Sequence, residues 1–208
     1  MADQRPCIFL LSPAFSGGKR GRMLFDERSA FELAVRLRSE GAPIGEVFAF
    51  ISGLYFRGKL AYARAFASPP PGLPGSLVIT AGRGLLEPDE RISFDELVEI
   101  ASVPIDSSDP RYAGPLEAHA RSLAASAGPD CQIILLGSIA TGKYLDPLIE
   151  TFGERLLFPA EFAGRGDMSR GGLMLRSASD GVSLNYVPAL SGPRHGPRPP
   201  KLARRTGL

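Results

Sequence analysis

Cysteine, histidine and long apolar runs are all scarce in this chain, and each scarcity closes off a class of chemistry. Cys7 and Cys131 are the only cysteines in 208 residues. Each lies beside an apolar strand-like run, where a free cysteine behaves as a small buried hydrophobe rather than a disulfide half, nucleophile or ligand. His119 and His195 are the only histidines. No metal cluster assembles from so few ligands at ordinary spacing, and no cofactor is expected. No run approaches the roughly 18 apolar residues of a membrane span, and the start, MADQRPCIFLLSPAF, has no basic n-region. Net charge is +2, too little to argue for nucleic acid by itself. A cytoplasmic protein without a membrane partner is the expectation.

What is present is ordinary for a globular chain, 44% hydrophobic and 22% charged. The length suits one α/β domain over 1–190, followed by a basic tail over 191–208. In that tail Arg194, Arg198, Lys201, Arg204 and Arg205 face no acid after Asp180. Short solid apolar runs predict buried strands at 7–11, 77–80, 132–136 and 155–158. Residues 15–22 read as a flexible basic loop, and Asp26 as the cap of a helix over 26–39. Helices are also expected at 57–67, after a capping box at Ser93-Phe-Asp-Glu96, from Pro115 to Gly128, and at 144–152. The proline-rich segment 68–75 reads as a loop, and alternation at 182–186 as a half-exposed edge strand. Strands alternating with helices predict a three-layer α/β/α fold with a mostly parallel sheet. Ligands of such folds bind at the carboxyl ends of the strands. Loops 12–22, 81–84, 137–143 and 159–172 leave those ends, and all carry glycine plus a base or hydroxyl.

Loop 137–143, GSIATGK, follows the strand at 132–136 and matches the first seven positions of a Walker A loop. Tyr144 stands where a serine or threonine would hold magnesium, which argues against a nucleotide triphosphatase. The loop is then either a cradle of backbone N–H groups and Lys143 for an anion, or a strand-to-helix turn with an exposed lysine. At 164–170, GRGDMSR, Arg165 and Arg170 offer planar forks for phosphate or carboxylate. Asp167 either caps a helix over 169–178 or serves the site, and nearby glycines permit close backbone approach to a ligand. The acids at 87–90 form a solvated turn or reach the end of the strand at 77–80. Tyr55 is core, interface, or a platform on which a base stacks. His119 and His195 read as surface residues.

Several of these pieces resemble a broad family of small bacterial and phage proteins. They are Ile8–Ser12 with Lys19, Leu54-Tyr55, Ala65-Phe66-Ala67, the run ITAGRGLLEPDERI at 79–92, and Leu135-Leu136-Gly137. Ser12 departs from the family's usual cysteine, and Thr80 from its serine. That family looks allied to α/β proteins that handle nucleobases, including uracil-DNA-glycosylase-like ones. The resemblance implies a nucleobase, nucleotide or nucleic-acid ligand.

The expected function is cleavage or exchange of an N-glycosidic bond in DNA or a nucleotide, the alternative a non-catalytic nucleic-acid or nucleotide-binding protein. Tyr55 would stack the base, and Arg83, Lys143, Arg165 and Arg170 would hold phosphate. Ser12, Lys19, Ser138 and Glu161 would add substrate contacts from the same loops. Asp167 or Asp89 would act on water or on the developing oxocarbenium ion.

Overall fold

The computed structural model describes residues 5–140, 142–193, 195–200 and 202. The strands are β1 (Cys7–Leu11), β2 (Ala42–Pro43), β3 (Ser76–Thr80), β4 (Gly84–Leu86), β5 (Arg91–Ile92), β6 (Gln132–Leu136), β7 (Leu156–Pro159) and β8 (Tyr186–Pro188). The helices are α1 (Lys19–Phe25), α2 (Glu32–Ser39), α3 (Ile44–Ser52), α4 (Leu54–Phe66), α5 (Phe94–Ser102), α6 (Pro110–Ala127), α7 (Asp146–Phe152) and α8 (Asp167–Asp180).

A six-stranded sheet runs in the order β4-β3-β1-β6-β7-β8. Its four inner strands are parallel, and β4 and β8 close the edges antiparallel. The apolar runs are those inner strands: Ile8 to Leu11 and Ile133 to Leu136 are all buried, as strands covered on both faces require. Helices lie on both sides of the sheet, which makes the three-layer α/β arrangement expected from the alternation. Helix α4 packs on β1 and against α8, while α6 packs on β3 and β4 and against α7. β1 sends the chain toward β3, whereas β6, its other neighbour, sends it toward β7. The strand order therefore reverses between β1 and β6, and Ser12, Gly82, Gly137 and Pro159 all stand at the same edge.

Several local expectations change. Residues 19–25 are helical, and Asp26 ends α1 instead of starting the next helix. Its N–H bonds back to the Arg22 carbonyl, and its carboxylate accepts from Arg28 N–H at 3.0 Å. α6 begins at Pro110, because Asp109 caps it by accepting from Arg111 N–H at 2.9 Å. Pro115 lies one turn inside, where it removes only one backbone bond near the helix start. The Ser93 capping box forms as read. Asp167 is the first residue of α8, not its cap, which is Gly166. Among the described residues no helix is long and apolar enough to cross a membrane. Thr141, Arg194, Lys201, Arg204 and Arg205 lie outside the described residues.

Candidate functional site

A cavity of about 850 Å³ opens at the carboxyl edge of the sheet, beside the β1–β6 switch point. Residues 12–17, 100–106, Phe48, Ile51, Ser52, Tyr55, Ala81, Ser138, Lys143, Tyr144 and Asp167 line it. Strand reversal predicts a crevice at this place, because the loops leaving β1 and β6 diverge there.

Ser12 is held at the floor by both strands. Its N–H donates to the Leu136 carbonyl at 3.3 Å, and its Oγ donates to the same oxygen at 3.2 Å. Gly137 makes room for it: a Cβ at Gly137 would stand 2.9 Å from the Ser12 Cβ and 3.1 Å from its Oγ.

Behind Ser12 lies Lys59, wholly buried in α4. Its Nζ donates to the Ser12 Oγ at 2.7 Å and to the Ser12 carbonyl at 2.8 Å. The ammonium also stands 4.0 Å from the Tyr55 ring centroid and 5.2 Å from that of Phe56. Such contacts partly replace water around a cation. No carboxylate pairs with Lys59 among the described residues. Burial pushes its pKa down to about 7; the charge of Asp167 pulls it up, and that of Arg170 pulls it down.

Asp167 reaches this place through an unusually close helix contact. A Cβ at Gly171 would meet the Leu54 carbonyl oxygen at 2.7 Å and the Tyr55 Cα at 2.8 Å. One at Gly58 would meet the Gly171 carbonyl oxygen at 2.7 Å. At Gly171, then, the glycine admits helix α4 rather than a ligand. The start of α8 is brought against Tyr55, and Asp167, 68% exposed and 3.6 Å from the Arg170 guanidinium, lines the cavity. Tyr55 is a buried wall residue whose hydroxyl has no hydrogen bond of good geometry among the described residues, and burial pushes its pKa up. Tyr144 adds a second phenol, its pKa also raised by burial.

At the rim, Lys143 is exposed, its carbonyl held by the Tyr112 hydroxyl at 3.1 Å. The loop does not feed a free helix start. Asp146 opens the short α7, and its carboxylate oxygen lies 2.6 Å from where a Cβ of Gly142 would be. The Asp146 N–H in turn donates to the Gly142 carbonyl at 2.8 Å, which closes the turn into α7. Asp106, also on the cavity lining, accepts from Ser108 N–H and Oγ, which holds its carboxyl below the usual range, with Lys143 adding to the effect.

Of the residues singled out from sequence, Ser12, Tyr55, Ser138, Lys143 and Asp167 share the cavity. The others do not line it. Asp89 is on a surface turn, 84% exposed and 3.4 Å from Arg64. Arg83 is drawn off by Glu96 at 2.7 Å and Glu99 at 3.5 Å. Lys19 begins α1 and is exposed. Glu161 accepts from the Asn185 backbone and side chain, both at 3.1 Å, which fixes the approach to β8. Arg165 donates to the Glu161 carbonyl and Ser169, and Arg170 to the Phe162 carbonyl beside Asp167. These forks are spent on the protein's own carbonyls, on the Ser169 hydroxyl and on the Asp167 carboxylate.

Lys59 went unread in the sequence, although a signal existed. The buried positions of α4 are Tyr55, Phe56, Gly58, Lys59, Tyr62 and Ala63. They form one helical stripe, and Lys59 stands within it at i+4 from Tyr55. Among the described residues no group of three His, Cys, Asp or Glu is placed to hold a metal ion. No family model, curated protein or solved structure matches the chain.

Proposed function

We propose that the cavity binds a nucleoside or nucleotide, free or in a nucleic-acid strand, and cleaves its N-glycosidic bond. One observation carries this reading. A carboxylate (Asp167), two phenol rings (Tyr55 and Tyr144) and a solvent-facing cation (Lys143) line the same cavity at the strand-order reversal. Its volume, about 850 Å³, suits a nucleotide-sized ligand. The chemistry asks for the same inventory. The transition state is cationic at the sugar, so a carboxylate beside it lowers the barrier more than it helps ground-state binding. Aromatic walls suit a planar base, and a rim lysine suits a phosphate.

The test is release of free base from adenosine, guanosine, cytidine and uridine 5′-monophosphates, their deoxy counterparts, and normal and modified oligonucleotides. Wild type is expected to release base from at least one of these. Asp167→Asn is expected to bind that ligand and release on the order of 100-fold less. Binding without any base release by wild type would replace this reading with that of a non-catalytic nucleotide- or nucleic-acid-binding protein.

A further inference from the structure

Ser12 is committed unequally on its two sides. As an acceptor it is held tightly, by Lys59 Nζ at 2.7 Å. As a donor it is held loosely: 3.2 Å to the Leu136 carbonyl is long for an O–H···O bond, whose usual range ends near 3.0 Å. That carbonyl already receives the Ser12 N–H. A ligand acceptor entering the cavity competes easily for the hydroxyl proton. Lys59 itself does not line the cavity, so it reaches a ligand only through Ser12.

The geometry points to a proton relay, Lys59 to Ser12 to the departing base, an assignment that rests on the N-glycosidic reading above. In the step, the bond between C1′ and the base nitrogen breaks and its electron pair stays on the base. A ring nitrogen or carbonyl oxygen of the base takes the proton of Ser12 Oγ, and Oγ takes one from Lys59 Nζ. Water adds to C1′ and gives its proton to Asp167. Asp167 then releases that proton to solvent, and Lys59 regains one from solvent. One water is consumed, and free base and sugar are formed.

The surroundings of Lys59 suit a donor that works near neutrality. Ser12 faces it from the end of β1, Tyr55 from its own helix, and Asp167 and Arg170 from α8. Asp167 alone among them favours the protonated form by its charge, while burial lowers the pKa to about 7. The relay is loaded below that value and empties above it. The rate of base release should therefore fall as pH rises through about 7.

The deciding experiment compares leaving groups that need a proton with one that does not. The probes are the nucleoside monophosphates above and 4-nitrophenyl β-D-ribofuranoside, whose nitrophenolate departs unprotonated. Lys59→Met and Ser12→Ala are each expected to lose on the order of 100-fold in base release and only a few-fold on the nitrophenyl riboside. Asp167→Asn should lose both. In Lys59→Met the fall in rate above pH 7 should disappear. Should Lys59→Met fail to fold, Ser12→Ala, which removes one oxygen, carries the same comparison. Equal losses on both kinds of probe in both variants would overturn the relay while leaving the N-glycosidic reading intact. Wild type inactive on every probe would overturn both.

Discussion

The stretch at 84–92 and helix α4 look like opposites in sequence, yet it is the plain helix that holds a buried charge and the polar stretch that serves as scaffolding. Residues 84–92 form the most distinctive run in the chain, rich in exposed acids. Yet the run is a clamp. The Pro88 and Glu90 carbonyls accept from Gly45 N–H at 2.8 Å and Ile44 N–H at 2.9 Å, and Ile92 pairs with Ala42. Together these bonds fix the start of α3, whose Phe48 and Ile51 form a wall of the cavity. Helix α4 reads as an ordinary core helix, and it carries the buried Lys59. Backbone carbonyls make durable clamps from any residue type, whereas a site needs particular side chains in particular surroundings. A polar motif therefore says less about chemistry than a polar residue in an apolar stripe.

The largest test of this contrast strikes the contact that supports α4. Gly171→Ala puts a methyl against backbone atoms of Leu54 and Tyr55 at 2.7 and 2.8 Å, so one helix must move. Overpacking of this kind costs about 3 kcal/mol in urea unfolding and should disturb ligand binding as well. Gly114→Ala is the control: in α6 nothing among the described residues lies within 4 Å of its Cβ position, and the change should stabilise by about 0.5–1 kcal/mol. Equal behaviour of the two would remove the close α4–α8 approach as a determinant of the site.

A smaller effect is expected at the floor of the cavity. Gly137→Ala places a methyl 2.9 Å from the Ser12 Cβ. Ser12, whose Cβ is fixed to the backbone at the end of β1, must shift to admit it, at a cost of about 1–2 kcal/mol. The displaced hydroxyl should lose its bond to Lys59, and base release should fall more than thermal stability does. A variant with full activity would show that the Ser12–Lys59 distance is unimportant.

How far the sequence reaches follows from the same contrast. Solid apolar runs marked the inner strands because strands buried on both faces tolerate little else, and the shared loop edge followed from the alternation. Asp167 and Tyr55 were reachable because they stand at the edge of elements. Lys59 was not, since a lysine on a helix is ordinarily solvated and only tertiary packing reveals its burial. The roles of Arg83, Arg165 and Arg170 were equally hidden. An arginine near a glycine-rich loop looks the same whether its fork meets a phosphate or the protein's own carbonyl.

The buried lysine also leaves a signature in stability. The folded chain loses the Lys59 proton above about pH 7, while the unfolded chain holds it to the ordinary lysine value of 10.5. Between those values the unfolded state binds more protons, so this group makes stability rise with pH; below 7 its penalty is constant. Cys7 and Cys131, raised above 9.0 by burial, act in the opposite direction at higher pH. The clean window is therefore pH 7 to 8.5. Across it, wild type should gain about 1–2 kcal/mol relative to Lys59→Met. Parallel curves for the two proteins would mean that Lys59 titrates as a solvated lysine.

The smallest effect belongs to the motif that looks most chemical. Asp89 is 84% exposed, its partner Arg64 is 66% exposed, and a pair so open to water contributes little. Asp89→Asn should stay within about 0.5 kcal/mol of wild type in stability. Base release should be unchanged, because the carboxylate does not line the cavity. The clamp itself uses the carbonyls of Pro88 and Glu90, which the substitution leaves in place. Loss of base release in Asp89→Asn with stability intact would place chemistry in the turn and reverse the contrast with α4. Loss of stability with the rate per folded molecule intact would instead show that the clamp depends on the Asp89–Arg64 pair.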